Sequence, residues 1–245
     1  MANFFDIQSV FFTFAGYDMS YIEFFGTVFN VWCVWLAARN RILTWPVGLV
    51  GIVLYIFLFW QIRLYSDLVE QIYFFGMSFY GWWLWRKSGV RTNNNEPRGT
   101  VSAAGTKERI IYALVIAVLT LGMGYGMGHI HLLLPGLFPE AASYPYLDAF
   151  TTVMSFAATL LMARKKVDCW YLWILVDIIG IGLYYAKGVK FISAEYVLFL
   201  AIALKGLYEW RKDWKEYVVS LIDSKNEGAC LGEIHAAACG APAID

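Results

Sequence analysis

Residues 23–46, EFFGTVFNVWCVWLAARNRILTWP, and residues 148–171, DAFTTVMSFAATLLMARKKVDCWY, are two renderings of one pattern. Phe25, Thr27, Val28, Ala38, Arg39 and Trp45 of the first stand over Phe150, Thr152, Val153, Ala163, Arg164 and Trp170 of the second. The same shift of 125 positions runs without a gap over residues 23–87 and 148–212. It sets Glu70 over Glu195, Phe74 over Phe199, Gly81 over Gly206 and Trp85-Arg86-Lys87 over Trp210-Arg211-Lys212. Fifteen of the 65 aligned positions are identical, about three times what this composition gives by chance. Each copy holds three apolar runs: 21–38, 44–61 and 67–85, then 148–163, 169–186 and 192–210. A seventh run, 109–128, lies between the copies. Each is long enough for a membrane crossing, the shorter ones in a slightly thinned bilayer.

Composition agrees. The chain has 245 residues, 60% hydrophobic and 16% charged, with a mean hydropathy of +0.55, whereas soluble domains average about 45–50% and about 25%. The apolar runs are continuous and do not alternate, which argues against a membrane barrel. A formal charge of zero gives no basic face for nucleic acid. The reading is an all-α polytopic membrane protein of seven transmembrane helices, arranged 3+1+3 with two parallel triple-helix repeats. Parallel repeats about an axis along the membrane normal are a transporter design, with the substrate site between the halves near the midplane.

The organisation follows. Residues 1–20, with Phe4, Phe5, Phe11, Phe12 and Phe14, form an interfacial aromatic segment. The first repeat covers 21–87, and 88–147 is loop, linker helix (about 109–128) and loop. The second repeat covers 148–212, and a tail covers 213–245. Fifteen Lys and Arg residues fall between spans on one side and three on the other. The positive-inside rule then places the N-terminus outside and the C-terminus in the cytoplasm. No Lys or Arg precedes Arg39, so no basic leader of a cleavable signal is expected. The tail pattern Cys230-x4-His235-x3-Cys239 fits no zinc motif. No metal or cofactor is expected, and no acid–base or nucleophile constellation gathers at one depth, so the chain is not expected to be an enzyme.

Polar groups at membrane depth mark candidate sites, because they are costly there unless they face a cavity or a partner. Asn30, Ser155 and Asp177 fall near the midplane, and Lys205 about a turn toward the basic side. Glu70, Gln71, Glu195 and Tyr196 fall in the outer halves of their spans. Asp177 has two readings: an ion pair with Lys205, or a substrate contact. Glu70 and Glu195, being equivalent, read first as structural pairs at the outer rim. Trp173 lies one turn from Asp177 on the same helix face, and an indole beside a carboxylate suits a flat cation. Trp170 belongs either to this site or to the interfacial belt, and Tyr80 and Gln71 offer further polar contacts. Gly122-x-Gly124-x-Gly126-x-Gly128 follows no strand and reads as a close helix contact.

Trp45-Pro46-Val47-Gly48, Leu64-Tyr65-Ser66-Asp67-Leu68-Val69-Glu70-Gln71, Tyr80-Gly81-Trp82, Trp170-x2-Trp173-x3-Asp177 and Glu195-Tyr196 together resemble the PnuC family of bacterial nicotinamide riboside transporters, over residues 20–212. The resemblance implies a SWEET-like pair of triple-helix bundles, a homotrimer in the inner membrane, and facilitated diffusion followed by intracellular phosphorylation that traps the vitamin. Related members carry thiamine or riboflavin. Two positions depart from the family pattern: Gly51 and Cys169 stand where many relatives have Asn, leaving Asn30 or Gln71 to meet a carboxamide. The candidate substrate-binding set is Trp173, Asp177, Gln71, Asn30, Tyr80, Trp170, Tyr196, Glu195 and Lys205. The alternatives are another flat vitamin such as thiamine, or a membrane receptor or scaffold without a transport path.

Overall fold

The computed structural model describes residues 4–14, 17–62, 65–90, 101–133 and 144–239. The polar stretch 92–97, Pro135, Pro139, and Arg63, Arg91 and Arg98 of the charge count lie outside the described residues. A short antiparallel hairpin, β1 (Val10–Phe14) with β2 (Tyr17–Ser20), precedes seven helices. These are α1 (Tyr21–Ala38), α2 (Thr44–Gln61), α3 (Tyr65–Val90), α4 (Thr106–Leu133), α5 (Pro145–Ala163), α6 (Asp168–Ala186) and α7 (Lys190–Cys239).

The hairpin lies within the N-terminal segment that precedes the helices. Val10-Phe11-Phe12-Thr13-Phe14 is β-branched and aromatic throughout, a composition that favours strands over helix. Thr13 Oγ1 donates to Asp18 across the pair at 2.5 Å, and Phe11 packs on Tyr21 and Phe24 of α1 at 4.7 and 5.2 Å. Ser20 then caps α1 in a capping box with Glu23.

Six helices are long and apolar enough to cross a membrane. The exception is α3, where Glu70, Gln71 and a run of Tyr and Trp stand in place of aliphatic residues. It is held instead by neighbours, packing on α2 and α5. α1, α2 and α3 pack in chain order, as do α5, α6 and α7; α3 on α5 and α1 on α7 join the two sets, and α4 rests on α5. α7 continues for 50 residues, so the helix runs on from the seventh span through most of the tail, about 75 Å at the α-helical rise.

Aligned residues repeat their geometry. Asn40 (φ 52°) and Lys165 (φ 54°) are the left-handed residues that end α1 and α5. In each turn the next two backbone amides return to the helix: Asn40 to Ala37 and Arg41 to Leu36, Lys165 to Met162 and Lys166 to Leu161, all at 2.9 Å. At this basic end a buried core gathers four indoles. Trp45 meets Trp85 edge-on at 5.4 Å and 87°, and Trp170 meets Trp210 at 5.6 Å and 87°. Trp85 Nε1 donates to the carbonyl of Ala163 at 3.0 Å, and Trp210 Nε1 to that of Ala37 at 3.1 Å. Each indole thereby ties its own helix to the first helix of the other set.

Gly81 lies under the ring of Trp45 and Gly206 under that of Trp170, so close that a Cβ at either would overlap the indole. Gly206→Ala should therefore lower the Tm of the detergent-solubilised protein, overpacking costing about 1–3 kcal/mol. Gly76→Ala, where nothing stands within 4 Å, is the control and should not lower it. Equal Tm values for the two variants would contradict this packing account.

The segment before α4 is pinned to the α5–α6 turn. Ser102 exchanges backbone bonds with Lys165 and Val167 at 3.0 and 2.9 Å. Asp168 accepts from the Ala104 amide at 2.6 Å and from Arg109 Nε at 2.7 Å. Val101 is thereby sealed into the tryptophan core.

Candidate functional site

Above the tryptophans, toward the ends where α1, α5 and α7 begin, α1, α2, α3, α5, α6 and α7 enclose a cavity of about 190 Å³. Helical spacing explains who lines it. On α3, Asp67, Glu70, Gln71, Phe74 and Ser78 recur at three- and four-residue steps and share a face. On α6, Trp170, Trp173, Asp177 and Tyr184 do the same. α1 contributes Asn30 and Cys33, α2 contributes Trp45, Gly48 and Tyr55, α5 contributes Ser155 and Thr159, and α7 contributes Glu195, Tyr196 and Phe199.

Seven of the nine candidates read from sequence meet here: Asn30, Gln71, Trp170, Trp173, Asp177, Glu195 and Tyr196. Tyr80 and Lys205 do not. Tyr80 turns outward beside Trp83 at 6.3 Å. Lys205 pairs with Glu209 one turn along its own helix at 3.7 Å, because that partner lies within reach at the helix surface while Asp177 is only 2% exposed. The Asp177–Lys205 pair, one of the two readings of Asp177, is not formed, and among the described residues no salt bridge reaches Asp177.

Four carboxyl side chains border the cavity: Asp67, Glu70, Asp177 and Glu195, each less than a tenth exposed. Three have identified polar neighbours. The Tyr184 hydroxyl donates to Asp67 and the Tyr55 hydroxyl to Glu195. Glu70 of α3 sits against the hydroxyls of Thr152 and Ser155 on α5. Tyr55, besides holding Glu195 of α7, lies against Thr27 and Asn30 of α1. Thr27 and Asn30 align with Thr152 and Ser155, so Glu70 meets these two positions of the opposite set directly, while Glu195 reaches the aligned pair only through Tyr55. Glu70 and Glu195 therefore serve as cavity wall and as ties between the sets at once.

Aromatic faces complete the lining. Tyr184 stacks on Tyr196 at 5.2 Å and 22°, and Tyr196 rests on Gly180. Trp173 packs against Phe74 at 6.3 Å. Gly51 gives Asn30 its place: a Cβ there would fall on the amide oxygen, with the amide carbon only 3.1 Å away. Four buried polar atoms of the lining have no partner among the described residues: the indole nitrogens of Trp45, Trp170 and Trp173, and Oε1 of Glu195. Sequence reasoning missed Asp67, Tyr55, Tyr184 and Trp45. The signals were present for two of them, since Asp67 lies one turn before Glu70 and Trp45 aligns with Trp170.

Apolar helices around a small acidic and aromatic chamber, in whose wall no basic group stands among the described residues, define a multi-pass membrane protein with an internal polar chamber. The chain belongs to the family described as nicotinamide mononucleotide transporters, whose model matches residues 20–212; it is a transporter and not an enzyme. It is 29% identical over 220 residues to the nicotinamide riboside transporter PnuC of Escherichia coli K12, covering 82% of this chain and 89% of that one. It is 26% identical over 216 residues to the nicotinamide riboside transporter PnuC of Neisseria mucosa, covering 85% and 78%. It is 27% identical over 187 residues to the riboflavin/roseoflavin transporter RibM of Streptomyces davaonensis, covering 76% and 82%. A crystal structure of the vitamin B3 transporter PnuC shares the fold, with a TM-score of 0.61 at 23% identity over 78% of this chain and 81% of that one.

Proposed function

We propose that this protein carries nicotinamide riboside across the bacterial inner membrane by facilitated diffusion, with phosphorylation inside the cell trapping the product. The observation that carries the substrate is the acidic cavity: four buried carboxyl groups and, among the described residues, no Lys or Arg in the lining. Nicotinamide riboside is a flat pyridinium cation with a carboxamide and a ribose. Trp173 and the Tyr184–Tyr196 pair offer faces to its ring, Asp177 offers the counter-charge, and Asn30, Gln71 and Glu195 offer partners for carboxamide and hydroxyls. The same wall disfavours the mononucleotide, whose phosphate needs Arg, Lys or a helix N-terminus. RibM supports riboflavin as the second reading, but a neutral flavin makes no use of an uncompensated Asp177. Thiamine, also a flat cation, competes on charge alone.

The architecture is a SWEET-like 3+1+3: α1–α3 and α5–α7 are parallel repeats joined by α4. The paired left-handed turns, the twin indole–carbonyl bonds and the glutamates at aligned positions support it. The N-terminus lies outside and the C-terminus in the cytoplasm, and three copies assemble with one path each, as the family resemblance implies.

Uptake of labelled riboside into proteoliposomes tests the mechanism. With the membrane potential clamped at zero, the inside concentration should rise to the outside value and stop, and efflux should run as readily as influx. Accumulation above that value under an imposed proton or sodium gradient would replace facilitated diffusion with coupled transport.

A further inference from the structure

The third helices of the two sets match in sequence at their basic ends but not in charge. Trp85-Arg86-Lys87 of α3 stands over Trp210-Arg211-Lys212 of α7. On α7 acids surround the basic pair: Glu209 and Asp213 flank it, and Glu216 follows. Lys212 pairs with Glu216 at 3.8 Å, and Arg211 lies over the Tyr171 ring at 5.9 Å. On α3 Leu84 stands where α7 has Glu209, Ser88 where it has Asp213, and no Asp or Glu occurs from Gln71 to Val90. Arg86 and Lys87 are both exposed, and among the described residues no carboxylate pairs with either.

Helical spacing sets these two cations beside aromatic rings. Phe79, Trp82, Trp83, Arg86 and Lys87 recur at three- and four-residue steps and line an open groove of about 400 Å³. Lys87 Nζ stands over the Trp83 ring at 5.3 Å. Away from the basic end the same face is apolar and exposed, through Ile72, Phe75 and Phe79 to Trp83, which is 57% exposed. From Ile72 to Trp83 the helix rises about 16 Å, close to one leaflet of a hydrocarbon core of about 30 Å. The face is graded as a phospholipid is: an apolar length, an aromatic level, then positive charge where headgroups lie. A free phosphate makes no use of the apolar ridge. A zwitterionic lipid carries its own cation and makes no use of an uncompensated basic pair.

We propose that this face of α3 binds an anionic phospholipid. Arg86 and Lys87 hold the phosphodiester, Arg86 through paired N–H donors and Lys87 as a point charge. Trp83 lies at the glycerol level, and one acyl chain runs along Phe79, Phe75 and Ile72. The site is separate from the central chamber, and none of these residues borders it. The aligned end of α7, with its own acids, is the comparison built into the fold.

The test is displacement of a fluorescent phosphatidylglycerol from the full-length protein in detergent micelles. The competitors are phosphatidylglycerol and phosphatidylcholine of the same chains, and glycerol phosphate. The parent should prefer phosphatidylglycerol to phosphatidylcholine, and the preference should fall as salt is raised. Arg86→Gln and Lys87→Gln should each weaken phosphatidylglycerol about fivefold, and the double variant about twenty-five-fold, at unchanged affinity for phosphatidylcholine. Arg211→Gln should leave the preference as it is. A parent without preference, or with one indifferent to salt, would overturn the proposal whatever the variants do. So would an equal loss in Arg211→Gln, which would make the effect one of overall charge. Glycerol phosphate competing as well as the lipid would assign the groove to a free phosphate instead. A double variant that keeps its lipid preference but changes the number of copies per particle would make this face a contact between copies.

Discussion

Adding a phosphate to the ribose of nicotinamide riboside should weaken binding by about a hundredfold or more, because an uncompensated buried charge costs about 3–5 kcal/mol. The family description names the mononucleotide and several relatives are named for the riboside, so the chemistry of the wall has to decide. A phosphate monoester carries about −1.5 to −2 charges at neutral pH. In this cavity it would face Asp67, Glu70, Asp177 and Glu195, with no basic side chain of the described residues in the lining. Lys187, near the rim, is already committed to Asp148 at 2.6 Å. Helix N-termini offer little relief: α3 begins with Asp67 in its first turn, α5 with Asp148 and α6 with Asp168. Titrating riboside and mononucleotide into the same preparation measures the ratio directly. Comparable affinities would mean that the phosphate stays outside the chamber and that the acidic wall does not select the substrate.

Much of the fold was legible because it was written twice. A 65-residue pattern repeated at an offset of 125 positions, with Arg39 over Arg164 and Trp85 over Trp210, points to helix number and order more firmly than hydropathy does. Hydropathy averaged over the helix is too low to mark α3, whose Asp67, Glu70, Gln71 and Ser78 face the cavity. The hairpin was not legible by helical periodicity, since Val10–Phe14 is too short and too uniformly apolar to show a period. The length of α7 was hidden for the opposite reason. A charged, mixed sequence after Trp210 reads as a polar tail, yet Lys212–Glu216 and similar spacings suit an exposed helix.

The site was legible where depth and face agreed. Trp173, Asp177, Glu195 and Asn30 were placed by counting from helix ends, and they meet. Depth failed for Tyr80 and Lys205, because residues at the right height still turn outward when their helix face does. Contacts between sets were invisible for a further reason. Tyr55 meets Glu195 across 140 residues and Tyr184 meets Asp67 across 117. No local spacing records such pairs. Gly51 is the instructive case: its departure from the family pattern looks like a lost amide, while its missing Cβ is what seats the amide of Asn30.

Asp177→Asn should separate a binding group from a structural one by moving affinity and stability in opposite directions. Asp177 is 2% exposed beside Val176, at 1%, and among the described residues no Lys or Arg reaches it. A carboxyl group in that setting, with no cation to offset it, weakens the empty protein. Asparagine keeps the shape and removes the charge, so the ligand-free Tm should rise. The cation then loses its counter-charge: truncating one partner of a buried charge pair costs about 2–5 kcal/mol, or about thirtyfold or more in affinity. The neutral dihydro form of nicotinamide riboside never had that contact, and its affinity should stay within about threefold on the same scale. Lys205→Met should change none of these values, since Lys205 is bound to Glu209. A structural Asp177 would give the reverse pattern, a lower Tm with parallel losses for both forms. That outcome would remove Asp177 from the site and leave Glu195, whose Oε1 has no partner among the described residues, as the other cavity carboxyl of the same set to carry the counter-charge.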